Sequence, residues 1–255
     1  LVSAVDTARP EAVYHLAGQS SVAQSFSDPL ATWDVNATGT LRLLCALRSG
    51  GLGGARVLLA SSAEVYGPVP EAEQPITEDR PLRPVSPYAA SKAAAELAAV
   101  QVSSADGPQV VIARSFNHTG PGHDARFALP SFARQLASHA PGSEPVLHVG
   151  NLGARRDLLD VRDVVRAYQR LVRSGEAGQA YNVCSGEACF LQDVVEEMVE
   201  ISGTRARIEV DAERLRPVDI PLLVGEGSRL RALGWAPEIP LRRTLEDLLS
   251  AAGVT

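Results

Sequence analysis

Hydrophobic and polar positions alternate along this chain in a repeating order of strand and helix. Residues 12–17 form a short apolar run that reads as a buried strand, ending in the small residues Gly18, Gln19 and Ser20. A polar loop leads to a helical pattern over 30–48. A second apolar run at 56–60 ends in Ser61, Ser62, Ala63 and Glu64, and a proline-rich loop over 68–84 follows. Ser86 and Pro87 then open a helix: serine caps the first free N–H groups, and proline suits a first-turn position whose N–H would be unpaired anyway. A third strand at 109–113 leads into Asn117-His-Thr-Gly-Pro-Gly122. Such alternation predicts a parallel sheet with helices on both faces, whose ligands sit at the carboxyl ends of the strands. The polar clusters after residues 17, 60 and 113 all fall at such ends, so they are expected to face one crevice.

Beyond Phe127 the elements shorten. The pattern predicts a helix to about residue 139, a strand at 146–149, a helix at 161–172, a strand at 180–184, a helix at 191–201, and short helices at 228–233 and 241–249. The reading is a larger α/β domain over 1–145 and a smaller lobe over 146–255 that caps the crevice, with interleaved segments.

Composition narrows the class. With 255 residues, 45% hydrophobic content and a net charge of −6, the chain can bury a sizeable core and is poorly suited to nucleic acid or an anionic membrane. No apolar run approaches the ~20 residues of a membrane span. Cys45, Cys184 and Cys189 are odd in number and lack metal-ligand spacing, which predicts reduced thiols in a cytoplasmic protein and no metal. The chain opens on Leu1 and its one methionine is Met198, so it is expected to be a fragment or a processed form.

Chemistry concentrates at Tyr88 and Lys92. Four residues apart on a helix, they share a face. Lys92 is the only lysine among 24 basic residues, placed where a slender point charge serves better than a planar guanidinium. The ammonium and the positive helix end should both favour the phenolate and bring Tyr88 into the range of an acid or base near pH 7.

Several stretches together carry a resemblance: His-Leu-Ala-Gly-Gln-Ser-Ser-Val (15–22), Ala-Ser-Ser-Ala-Glu-Val-Tyr-Gly (60–67), Arg-Ser-Phe-Asn-His-Thr-Gly-Pro-Gly (114–122), Gly-Asn-Leu-Gly-Ala-Arg-Arg-Asp (150–157) and Leu-Arg-Pro-Val-Asp-Ile-Pro (215–221). With the Tyr88/Lys92 pair, the chain resembles the extended short-chain dehydrogenase/reductase superfamily of NAD-dependent sugar epimerases and dehydratases. It looks most like the GDP-sugar branch of GDP-mannose 4,6-dehydratases and GDP-4-keto-6-deoxy-mannose reductases.

The resemblance implies a Rossmann-like fold and an NAD or NADP cofactor. Tyr88 would be the catalytic acid/base, Lys92 the residue that holds the nicotinamide ribose and lowers the tyrosine pKa, and Ser62 the hydroxyl that polarises the reacting oxygen. Leu16, Ala17, Gly18, Gln19 and Ser20 would touch the cofactor, and His118 lies where the family contacts nicotinamide. Asn117, Arg156, Arg216 and Asp219 would hold the GDP-sugar. Glu64 occupies the place of the dehydratase base, but similar reductases also carry Glu there, so it does not separate the two reactions.

The family's glycine-rich first turn does not precede the first strand, so residues 1–145 are read as the remainder of a dinucleotide-binding domain lacking its first strands. The expected activity is reduction of a GDP-4-keto-6-deoxy-hexose at C4. The alternatives are GDP-mannose 4,6-dehydration, another nucleotide-sugar epimerase or dehydratase reaction, and a non-catalytic sugar-nucleotide-binding remnant. The complete protein is expected to be a homodimer.

Overall fold

In the computed structural model, described over residues 1–104, 106–138, 144–215 and 219–254, the first half of the chain holds helix α1 (Val2–Ala8), strand β1 (Ala12–His15), α2 (Val22–Ser27) and α3 (Pro29–Trp33). After them come a π-helical turn (Asp34–Thr38), α4 (Gly39–Ser49), β2 (Arg56–Ser62), α5 (Pro87–Ser103), β3 (Gln109–Ser115), β4 (Asn117–Thr119) and α6 (Ala128–Ala137). The second half holds β5 (Val146–Val149), β6 (Arg155–Asp160), α7 (Val161–Ser174), β7 (Ala180–Val183), β8 (Ala188–Phe190), α8 (Leu191–Ser202), β9 (Arg207–Val210), β10 (Leu222–Leu223), α9 (Ser228–Arg231) and α10 (Leu241–Ala252).

The principal sheet is parallel in the order β1-β2-β3-β7. Alternation along its strands assigns each face. Val57, Leu59, Val110 and Ile112 pack against Leu44 and Leu47 of α4 and Ala95, Ala99 and Val102 of α5. Leu58, Val111 and Ala113 point the other way, onto Val164, Ala167 and Leu171 of α7. Helices cover both faces, as the strand–helix alternation predicts.

The second assembly is built on two small sheets. β4, β6 and β10 form a parallel ribbon with β8 antiparallel on β6, and β5 pairs with β9. Leu129, Phe132 and Leu136 of α6, Leu147 and Val149 of β5, Val195 and Met198 of α8, and Leu245, Leu248 and Leu249 of α10 share one core. Because β7 completes the principal sheet, that sheet draws on both sides of residue 145.

Two expectations change, and one strand is added to those expected. The run at 12–17 is not a buried strand: β1 ends at His15 and pairs on one side only, leaving Tyr14 44% and Leu16 58% exposed. The helix over 30–48 is two α-helical pieces, α3 and α4, joined by the π turn. β6, whose Arg155-Arg-Asp stretch has a weak strand pattern, forms because β4, β8 and β10 supply its ladder. Among the described residues, no helix is long and apolar enough to cross a membrane.

Candidate active site

α5 begins where the sequence places it. The Ser86 side chain accepts the Ala89 N–H at 3.1 Å and Pro87 sits in the first turn. Tyr88 is 8% exposed, and the Ser62 hydroxyl at the end of β2 faces it and favours its ionised form. Lys92 lies one turn on, its Nζ 6.0 Å from the Tyr88 ring centroid and donating to the Ala60 carbonyl at 2.9 Å.

The electrostatics correct one expectation. Burial pushes the Tyr88 phenol up to about 12, against the Ser62 hydroxyl, and the nearby Glu64 and Tyr168 add to the rise. The expected lowering by Lys92 is absent: its ammonium lies 6.0 Å from the Tyr88 ring centroid, donates to the Ala60 carbonyl and is itself pushed down to about 8 by burial, with Glu96 opposing. At neutral pH the site therefore holds a protonated phenol beside an ammonium, a proton donor rather than a base.

Gly18 meets Lys92 across the crevice. A Cβ at Gly18 would lie 2.9 Å from Asn36 Oδ1 and 3.4 Å from Lys92 Nζ, so only glycine leaves that passage open. Leu16, Ala17, Gly18 and Ser20 are exposed and Gln19 is half-buried. Asn36 pins the loop: its side chain accepts the Gln19 N–H at 2.8 Å and donates to the Gln19 carbonyl and Ser91 Oγ, both at 3.0 Å. A narrow, backbone-lined cradle ending at an ammonium fits the ribose and diphosphate of a dinucleotide. His118 is half-buried and its Nδ1 faces the Phe116 carbonyl at 3.1 Å. Burial lowers its pKa, leaving a neutral ring that stacks on His123.

Glu64, Arg156 and Asp219 line one cleft, together with Val22, Val85, Ser86 and Ile220. Arg156 pairs with Asp219 at 2.8 Å, and Asn151 donates to the other carboxylate oxygen at 2.6 Å. Asp219, expected to hold the GDP-sugar, is here the partner of Arg156. Asn117 is exposed at the head of β4. Arg216 lies outside the described residues.

Two groups were missed by sequence reasoning. Asn36 sits in the π turn, and its one signal is a polar, poor helix former amid the apolar period of 30–48. Ser115 is the register partner of Ser62, and its hydroxyl meets Tyr168 of α7 at 2.7 Å, a pairing across 53 residues that no local pattern announces.

A doubly wound parallel sheet with a serine, a tyrosine and a lysine converging at its carboxyl ends defines the nucleotide-dependent α/β oxidoreductase class. The family model for GDP-mannose 4,6 dehydratase matches residues 1–248, and the chain belongs to that family. It is 42% identical over 243 residues to the GDP-6-deoxy-D-mannose reductase of Pseudomonas aeruginosa, covering 94% of this chain and 80% of that protein. Among solved structures it matches RMD from Pseudomonas aeruginosa complexed with NADPH, with a TM-score of 0.88 and 41% identity over 95% of this chain and 81% of the other. It also matches the UDP-glucose 4-epimerase of Thermus thermophilus in complex with NAD, with a TM-score of 0.87 and 31% identity over 99% of this chain and 80% of the other.

Proposed function

We propose that the protein reduces a GDP-4-keto-6-deoxy-hexose at C4 with a nicotinamide cofactor. The observation that carries this reading is the placement of Tyr88, a buried phenol that faces the Ser62 hydroxyl at the carboxyl end of β2. Reduced nicotinamide, when bound, would supply the hydride for the carbonyl carbon. As its oxygen gains charge, Ser62 donates a hydrogen bond and Tyr88 transfers its proton to that oxygen, giving the alcohol. Lys92, with Gly18, Gln19 and Ser20, receives the cofactor ribose and diphosphate. Leu16 and Ala17 border that loop, and His118 offers its neutral ring towards nicotinamide. Asn117, Arg156, Arg216 and Asp219 bind the GDP moiety, arginine being suited to a bidentate grip on phosphate.

The 4,6-dehydratase is the second reading, favoured by one observation: the Glu64 carboxylate lines the same cleft as Arg156 and Asp219. There it would remove a proton from the sugar. Incubation with GDP-mannose and oxidised cofactor separates the two. The reductase reading expects no keto sugar from that mixture, and consumption of the 4-keto-6-deoxy sugar with NADPH or NADH. Accumulating keto sugar reverses the assignment.

A homodimer in the cytoplasm completes the proposal; the dimer is supported by Trp33, Leu41, Leu97 and Val100, which leave apolar surface exposed on α3, α4 and α5. Sedimentation of the Leu97→Glu variant as a monomer, against a dimeric wild type, is the expected result.

A further inference from the structure

Side chains one turn apart along α5 meet successive residues at the end of β2. Tyr88 faces Ser62, Lys92 donates to the Ala60 carbonyl, and the Ser61 hydroxyl donates to Glu96. The first two are already in the proposed chemistry and the third is not. Glu96 is 2% exposed. Arg114 of β3, the register partner of Ser61, grips its carboxylate through Nε at 3.1 Å to both oxygens and through Nη2 at 2.7 Å. The other end of that guanidinium donates to the Tyr66 hydroxyl at 3.0 Å and to the Glu78 carbonyl at 2.9 Å. Tyr66 closes the short turn Ala63–Tyr66 that carries Glu64. One carboxylate thus ties together the helix of Tyr88 and Lys92, the strand end of Ser62 and, through Arg114, the turn of Glu64.

A structural ion pair is the plainer explanation, but it is a weak one. Buried ion pairs can often be replaced by apolar residues at little cost in stability, because desolvation cancels much of the attraction. The surroundings of Lys92 give a more specific reason. Its own helix presents Tyr88 and Glu96, β1 presents His15, β2 presents the Ala60 carbonyl, and Arg114 of β3 stands beyond Glu96. His15 is kept neutral by burial and by Lys92 itself, and Tyr88 is a neutral phenol. Glu96 is the anion that acts on Lys92.

We propose that Glu96 is a positioning residue of the reaction, serving as the counter-charge of Lys92 and, through Ser61 and Arg114, as the tether that holds the Ser62 strand end against Tyr88. The catalytic half of this inference rests on the reductase reading; the counter-charge half does not.

Because Lys92 is the only lysine, protein grown on [ε-¹³C]lysine gives one lysine side-chain signal, and its titration reports Lys92 directly. The wild-type midpoint is expected at about 8. Glu96→Gln should move the midpoint lower, and Glu96→Asp should return it towards the wild-type value. Should Glu96→Gln fail to fold, the double variant Glu96→Leu with Arg114→Met replaces the whole pair by apolar groups and should show a smaller downward movement, since a cation leaves with the anion. In the same proteins, the alkaline limb of kcat for keto-sugar reduction should move with the NMR midpoint. Midpoints equal to wild type in both the Gln and the double variant would overturn the proposal and leave Glu96 as packing. A midpoint that moves in a protein lacking reductase activity supports the counter-charge role while removing the reductase reading.

Discussion

Replacing Lys92 by methionine should abolish reduction and yet stabilise the fold. Burial lowers the ammonium from 10.5 to about 8, and that drop corresponds to about 3 kcal/mol against the charged form in the folded state. Methionine fills similar volume without charge, but it forfeits the bond to the Ala60 carbonyl, worth about 2 kcal/mol because the donor is charged. The net expectation is a gain of about 1 kcal/mol at pH 7. The pH dependence has a fixed sign. Between about 8 and 10.5 the unfolded chain binds more protons at Lys92 than the folded chain does. Wild-type stability therefore rises through that window relative to the methionine variant. The penalty is fully present below the folded value and gone above the unfolded one. Urea denaturation at pH 7 and at pH 9.5, with both proteins read under each condition, measures the difference and cancels the tyrosines they share. A methionine variant no more stable than wild type at pH 7, or a gap that does not narrow at pH 9.5, would refute the reasoning.

Tyr88→Phe keeps the buried ring and removes the proton donor, so turnover should fall by about 10²-fold or more, while cofactor and GDP-sugar affinities measured by titration stay within about threefold, near 0.7 kcal/mol. Activity within tenfold of wild type would remove Tyr88 from the mechanism. Gly67 has φ +67° and a Cβ there would fall 1.9 Å from the Arg83 carbonyl oxygen, so Gly67→Ala combines left-handed strain with a backbone collision. It should cost about 2–4 kcal/mol in chemical denaturation, and a loss under 1 kcal/mol would show that the 65–84 loop yields.

The parts legible in the sequence are those set by short-range rules. Ser86 and Pro87 start α5 by cap chemistry, helical spacing puts Tyr88 and Lys92 on one face, and apolar runs mark β2 and β3. What stayed hidden depends on partners far along the chain. The Tyr88 pKa moves opposite to the prediction because its neighbourhood is decided by burial, to which α5 spacing is blind. Asp219 meets Arg156 across 63 residues, and Asn36 reaches the Gly18 loop only because a π turn re-aims it. β1 reads as buried from composition alone, whereas its exposure depends on which strands flank it.

The fourth strand of the principal sheet also sets a schedule for folding. β3 pairs with β2 on one side and β7 on the other, and roughly 70 residues separate β3 from β7 along the chain, about 4–14 s of synthesis at ordinary ribosomal rates. Throughout that interval the nascent chain displays Val110, Val111 and Ile112 with an open row of N–H and C=O groups, the kind of edge that pairs with the wrong strand. The wait ends only when residues 180–183 emerge. Slowing translation between β3 and β7 should therefore lower the yield of native protein, whereas slowing it after β7 should not.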